Sequence, residues 1–252
     1  MTVQSMEQRL LNEYFGHDKA ALENACRRLA DHEPLAYILG ETVFFDEYYY
    51  VTPATLIPRP DTERVVEWVL KCLPKGGRLL DLCCGSGCIG ISSLKHSDRT
   101  EAVSVDISED ALAVAQRNAE RNEVQDRIRF LKADLTKDSI LEHERFDVIV
   151  SNPPYVKTAV VDTLEPECSY EPRIAFDGGE DGMIFYRLII KRFADRLSEG
   201  GCFVFEIGYD QANDMKELAE STGFDCQIYK DYGKNDRVAV LRPNRKEERH
   251  EI

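Results

Sequence analysis

Along the first thirty residues the apolar positions recur at helical spacing: Leu10, Leu11 and Tyr14, then Ala21, Leu22, Ala25, Cys26 and Leu29. Residues three and four apart share a helix face, so 4–30 is predicted to form one or two amphipathic helices, broken at Gly16-His17-Asp18 and ended before Pro34. The period then changes. Val43 to Val51 is aromatic and β-branched around a polar Asp46-Glu47 pair, which predicts a hairpin. Pro53, Pro58 and Pro60 hold the next stretch extended, because proline locks φ and donates no hydrogen bond. Beyond it, short apolar runs alternate with amphipathic ones. Strands are predicted at 78–82, 102–106, 128–131, 146–151, 202–207, 226–230 and 237–241, and helices near 62–72, 88–95, 109–121, 182–197 and 211–221. Ser108 ahead of Glu109 and Asp110 is a good helix start, and Gly200-Gly201 follow the helix expected to end near Leu197.

Strand and helix in alternation predict an α/β fold: a mostly parallel, doubly wound sheet with helices on both faces. The expected division is a short helical segment over 1–33, a hairpin and proline-rich linker over 34–61, and the main domain over 62–252. The charged tail from Leu241 to Ile252 is expected to fray.

At 252 residues and 43% hydrophobic content the chain can bury one large core. Its formal charge of −14 opposes general binding of phosphate backbones, so no direct DNA binding is expected. The eight cysteines contain no C-x-x-C pair, and no apolar run behind basic residues opens the chain, which predicts a reduced, cytoplasmic protein. Cys83, Cys84 and Cys88 lack a fourth ligand at a familiar spacing, so no metal is expected. No run of eighteen apolar residues is present to serve as a membrane helix.

The chemistry is concentrated in two stretches. Leu80 to Gly90, LDLCCGSGCIG, places Gly85, Gly87 and Gly90 at G-x-G-x-x-G spacing after a strand, with an acid, Asp106, at the end of the next one. That spacing satisfies a dinucleotide fingerprint and is equally compatible with an ordinary strand-to-helix turn. Asp81 discriminates between ligands. A carboxylate there would face the two phosphates of a dinucleotide, whereas S-adenosylmethionine presents a cationic sulfonium and an ammonium that an acid favours. Asp106 suits the ribose hydroxyls of either ligand, or else serves only to start the helix beside Ser108.

The second stretch, Asn152-Pro153-Pro154-Tyr155, follows the apolar strand 146–151 and so falls at its carboxyl end. A planar amide or exocyclic amine is a weak nucleophile, because its lone pair is delocalised, and it must be held with that pair aimed at the methyl carbon. The Asn152 side-chain oxygen and the Pro153 carbonyl can each accept one N–H, and Tyr155 can stack on the planar group.

With these residues in place the chain resembles the HemK/PrmC group of protein-(glutamine-N5) methyltransferases, which act on the Gly-Gly-Gln loop of peptide-chain release factors. The resemblance also rests on the segments Pro34 to Gly40, Thr55 to Glu63 and Glu171 to Gly182. It implies a class I S-adenosylmethionine-dependent fold and a release factor as protein substrate. It further implies that Cys83, Cys84, Gly85, Ser86 and Gly87 form the methionine-binding loop, that Asp106 binds ribose, that Asp134 and Leu135 lie beside the adenine, and that Asn152 to Tyr155 hold the glutamine. Ile57 to Pro60 is implied to lie near the cofactor, or else to be a rigid linker. Two departures carry expectations. Cys83-Cys84 stand where the family has Gly-Thr, so the Cys83 Cβ is expected to crowd the methionine end. The N-terminal helical segment is shorter than the family's, which is expected to alter docking of the release factor. Competing expectations are methylation of another protein glutamine, such as one on a ribosomal protein, methylation of a nucleobase amine, a dehydrogenase, and a binding module without activity.

Overall fold

The computed structural model describes residues 3–244, with side-chain detail from Met6 onward. Helices α1 (Val3–Phe15) and α2 (Lys19–Ala30) form a hairpin of helices, and the break falls where Asp18 accepts the Ala20 and Ala21 N–H groups at 3.0 and 3.1 Å and caps α2. Leu11, Ala25 and Ile38 make their small shared core, Ile38 coming from a one-turn helix α3 (Leu35–Leu39) that was not foreseen. Five residues are too few to show a helical period.

Strands β1 (Glu41–Phe44) and β2 (Glu47–Tyr50) form the expected hairpin. Its two turn residues, Phe45 and Asp46, both have positive φ, 51° and 64°, as the twist of a two-residue turn demands. Asn118, fully buried, fastens this hairpin to the main domain. Its Oδ1 accepts the Tyr50 N–H at 2.7 Å, and its Nδ2 donates to the carbonyls of Tyr50 and Ser86 at 3.0 and 2.9 Å. The hairpin is thereby tied to the glycine-rich loop itself.

The main sheet has seven strands, β3 (Arg78–Leu82), β4 (Glu101–Asp106), β5 (Ile128–Lys132), β6 (Phe146–Ser151), β7 (Leu197–Glu206), β8 (Phe224–Lys230) and β9 (Asp236–Pro243), in the order β5-β4-β3-β6-β7-β9-β8. The first five run parallel, and β9 runs antiparallel between β7 and β8. Side chains alternate between two covered faces. Leu80, Leu82, Ile149, Phe203 and Phe205 pack with α8 (Ile184–Phe193) and α9 (Ala212–Ser221); Leu79, Val148, Val150 and Val204 pack with α4 (Glu63–Cys72) and α5 (Cys88–Lys95). Helix α6 (Glu109–Arg121) starts at Ser108, whose hydroxyl accepts the Ala111 N–H at 3.1 Å.

The largest departures from expectation lie in three stretches. The helix expected over 182–197 is α8 followed by a 3₁₀ turn over Ala194–Arg196, and β7 begins at Leu197. The reason is a bulge. Phe146 pairs with Leu197 while Val148 pairs with Cys202, so Gly200-Gly201 absorb extra residues within the strand instead of ending the helix. Leu241 to Pro243, expected to fray, complete β9, where Leu241 is fully buried; the rest of that tail, 245–252, lies outside the described residues. The stretch between β6 and α8 contains a short helix α7 (Thr158–Val161) and 3₁₀ turns over Pro166–Tyr170 and Arg173–Ala175, again too short to show a period.

Candidate active site

Parallel strands deliver their carboxyl ends to one edge, and ligands bind there where the strand order reverses. In this sheet the reversal lies at β3, which has β4 on one side and β6 on the other. A cleft of about 290 Å³ opens at that point. Cys83 to Ser86 come to its wall from the end of β3, Asp106 from β4, Asp134 and Leu135 from beyond β5, and Asn152 and Pro154 from beyond β6. Asp81, Gly87, Pro153 and Tyr155 are not on the wall.

The loop after β3 turns through positive φ at Cys83 (60°), Gly85 (53°) and Gly87 (78°). For the cysteine this conformation costs about 1 kcal/mol, which a glycine would not incur. Burial pushes the Cys83 and Cys84 thiols far above their ordinary value, so both stay neutral small groups. The loop is held from beneath by the Asp106 carboxylate. Its Oδ2 accepts the Gly85 N–H at 2.8 Å and its Oδ1 accepts the Ser108 N–H at 2.9 Å, so it both shapes the loop and starts α6. A carboxylate offers about four acceptor positions, and these bonds leave it with acceptor capacity to spare. Burial raises Asp106 above the usual carboxylate range, and these backbone N–H groups oppose the rise.

Asp81 lies under the loop, fully buried. Its Oδ2 accepts the Gly90 N–H at 3.0 Å, while Oδ1 has no hydrogen-bond partner among the described residues. Gly90 is glycine for a packing reason: a Cβ there would lie 3.0 Å from both Asp81 Oδ2 and Ser104 Oγ. Burial, with a smaller push from the Asp106 charge, raises Asp81 to about 7. The consequence for stability has a definite sign. Between an unfolded value of about 3.9 and the folded value, the native state keeps a proton that the unfolded chain has lost, so stability falls as pH rises through that window. Asp81→Asn is therefore expected to melt above the parent at pH 8, with the gain shrinking toward pH 4; thermal scans at both pH values decide it, and an equal difference at the two would refute the assignment.

Asp134 is drawn down to about 2 by its hydrogen bonds from Lys137 first and then from Thr136, so its carboxylate is engaged in its own turn. Asn152 sits on the wall with its Nδ2 3.5 Å from Thr62 Oγ1. Tyr155 points the other way. Its hydroxyl donates to Glu206 Oε1 at 3.1 Å, its carbonyl accepts from Gln211 Nε2 at 3.2 Å, and its ring packs on the core beside α8 and α9. The expected stacking face is thus placed off the cleft wall. The segment Phe176 to Gly178 lies directly against the end of this tetrapeptide: the Val156 N–H donates to the Phe176 carbonyl and the Gly178 N–H to the Val156 carbonyl, both at 2.8 Å. At Gly178 a Cβ would fall 2.7 Å from the Pro154 carbonyl oxygen and the Tyr155 Cα, so only glycine allows this approach.

The linker completes the cleft. Pro58, Arg59 and Thr62 line it, and Glu171, with a side chain only 1% exposed, ties them down. Glu171 accepts the Ile57 N–H at 2.8 Å and pairs with Arg59. Thr62 in turn donates to Glu206, a buried acid at the end of β7, at 2.6 Å. Thr62, Glu171 and Glu206 were not singled out from the sequence. Glu206 did leave a signal, being an acid inside the apolar run Phe203 to Ile207.

The cleft fits S-adenosylmethionine in three respects among the described residues: acceptor capacity left on Asp106, a loop whose Gly85 has no heavy atom within 4 Å of its Cβ position, and the orphaned Oδ1 of Asp81 behind that loop. Comparisons with known proteins show the family and the fold. Residues 63–165 match the family model described as "Methyltransferase small domain". The release factor glutamine methyltransferase of Geobacter sulfurreducens is 43% identical over 221 residues, covering 87% of this chain and 76% of the relative. That of Clostridium botulinum is 41% identical over 213 residues, covering 83% and 75%. Among solved structures, a methyltransferase from Pyrococcus furiosus superposes with a TM-score of 0.58 at 21% identity, covering 77% of this chain and 86% of that one, which is a likeness of fold.

Proposed function

Because the chain belongs to the release factor glutamine methyltransferase family, we propose that it moves a methyl group from S-adenosylmethionine to the side-chain amide nitrogen of the glutamine in a release factor's Gly-Gly-Gln loop, with Asn152 holding that nitrogen. One observation carries the residue assignment: Asn152 and Pro154 share a cleft wall with the glycine loop and Asp106, at the reversal point of the sheet.

The donor, when bound, supplies an electrophilic methyl group on a positive sulfur. Cys83 to Gly87 hold its methionine end in this reading, with Asp81 behind the loop and out of direct contact, while Asp106 takes its ribose and Asp134 with Leu135 its adenine. The tetrapeptide handles the acceptor. The Asn152 oxygen and the Pro153 carbonyl each take one N–H of the glutamine amide, which turns the nitrogen lone pair toward the donor. As the nitrogen gains a bond it becomes cationic, and the same two acceptors stabilise it more than they did the neutral amide. The proton then leaves to water, so no side chain must act as a base. The charge of −14 favours a protein acceptor over a nucleobase within a phosphate backbone.

The reading is tested by incubating the purified protein with S-adenosylmethionine and a release factor, then weighing the Gly-Gly-Gln peptide by mass spectrometry. One added methyl on the glutamine is expected, absent when that glutamine is replaced. An unmodified peptide with intact donor binding would move the substrate elsewhere.

A further inference from the structure

Asn152 can serve as an acceptor only if its amide is turned with the oxygen toward the cleft, and an amide alone has no preference between its two ends. The surroundings supply one. Glu206 is buried, 2% exposed, and receives two hydroxyl donors, Thr62 Oγ1 on Oε2 at 2.6 Å and Tyr155 OH on Oε1 at 3.1 Å. Its backbone carbonyl takes a third, from Tyr186 OH at 2.8 Å, which fixes the end of β7. Arg237 stands next to it, donating to the Ile207 carbonyl at 3.1 Å and pairing with Asp231 and Asp61 at 3.2 and 3.5 Å.

Burial raises Glu206, and the Thr62 hydroxyl, the Arg237 charge and the Tyr155 hydroxyl oppose the rise by favouring its carboxylate form; a carboxylate only accepts, so it dictates the direction of the bonds its oxygens make. Thr62 has a single hydroxyl proton and spends it on Glu206. What Thr62 then presents to Asn152, 3.5 Å away, is a lone pair, which the amide NH₂ can meet and the amide oxygen cannot. The contact is long, as catalytic contacts often are before substrate arrives. The same carboxylate therefore reaches both ends of the tetrapeptide, Tyr155 directly and Asn152 through one hydroxyl.

We propose that Glu206 is a positioning residue for methyl transfer: acting through Thr62, it sets the amide of Asn152 with the oxygen toward the reacting nitrogen, and through Tyr155 it holds the far end of the tetrapeptide. This rests on the reading that Asn152 binds the acceptor amide. Neither Glu206 nor Thr62 transfers a proton or touches the transferred group in this scheme.

The test compares Thr62→Val, which keeps the shape and removes the hydroxyl, with Thr62→Ser, which keeps the hydroxyl. In steady-state assays on the release factor, Thr62→Val is expected to lower kcat roughly 10- to 100-fold, the size of a misplaced acceptor. Thr62→Ser should recover most of it, and donor affinity by calorimetry should stay within about two-fold of the parent. Glu206→Gln should lower kcat as well, and the double variant Thr62→Val/Glu206→Gln should lose little beyond the worse single change, because both act along one chain. The calorimetry also certifies that each variant is folded. The proposal is overturned if Thr62→Val turns over like the parent while Asn152→Ala is inactive, if the two changes multiply independently, or if Thr62→Val acts on donor affinity with kcat intact. Full activity in Asn152→Ala would instead remove the underlying reading of the acceptor site.

Discussion

Asn152→Ala is expected to lower kcat for release-factor methylation by roughly 10²–10³-fold, the range seen when one preorganised stabilising group is deleted from a reacting centre. The reason is that its oxygen serves an interaction strengthened in the transition state, when the amide nitrogen turns cationic, so the loss falls on kcat and not on uniform binding. The fold should survive. Asn152 is half-buried, and among the described residues its one side-chain bond is the 3.5 Å contact with Thr62, so truncation neither opens a large cavity nor strands a strongly bonded partner. Donor affinity measured by calorimetry is expected to change by less than about three-fold, since the ribose and methionine contacts are assigned elsewhere on the cleft. A variant with parental kcat would end the assignment. A variant with lost donor binding would mean that Asn152 belongs to the cofactor side of the cleft.

Asp106→Ala is expected to raise the donor dissociation constant by roughly 100-fold, because a hydrogen bond to a charged acceptor contributes about 1.5–3 kcal/mol and each 1.4 kcal/mol is a factor of ten. Two causes are superimposed in that figure. The carboxylate also organises the loop through the Gly85 and Ser108 N–H groups, so part of the loss would come from a loosened loop. A donor product analogue without ribose hydroxyls separates them. The parent should bind that analogue about as weakly as Asp106→Ala binds the intact compound, and the variant should distinguish the two compounds hardly at all. If the variant still discriminates, Asp106 shapes the loop and does not read the ribose. At saturating donor the variant's kcat should lie close to the parent's, which places Asp106 apart from the acceptor machinery.

The pairing of these two residues explains how the site can be divided between partners. Asp106 ends β4 and Asn152 follows β6, on opposite sides of β3, so the glycine loop lies between the acid proposed to hold the donor and the amide proposed to hold the acceptor. Bringing a donor and an acceptor into one crevice accounts for much of the rate gain in a scheme that requires no base. The second wall is supplied by the linker, and its stiffness has a source in the structure: the buried Glu171 grips both the Ile57 backbone and the Arg59 guanidinium.

How far the chain could be read in advance follows the length over which each signal is expressed. Alternating apolar strands and amphipathic helices are local and repeated, so β3 to β9 and α4 to α6 were legible to within a residue or two at most ends. The positions of the glycine loop, Asp106 and Asn152 to Tyr155 were legible for a similar reason: each ends or directly follows a strand, and a strand's carboxyl end in a parallel sheet is a fixed address. What stayed hidden depends on residues far apart in sequence. Thr62 and Glu206 are 144 positions apart and Ile57 and Glu171 are 114 apart, and no period or spacing connects them. The tertiary structure alone decided that Asp81 lies beneath the loop and not on the cleft wall, that the Tyr155 ring turns to Glu206, and that Gly178 must lack a side chain because a backbone passes 2.7 Å from where its Cβ would be. Sequence by itself determined which groups arrive at the carboxyl edge of the sheet, since hydrophobic burial sets the strands and strands set their ends; the directions in which those groups face were decided by packing and by hydrogen bonds between segments that meet only once the chain has folded.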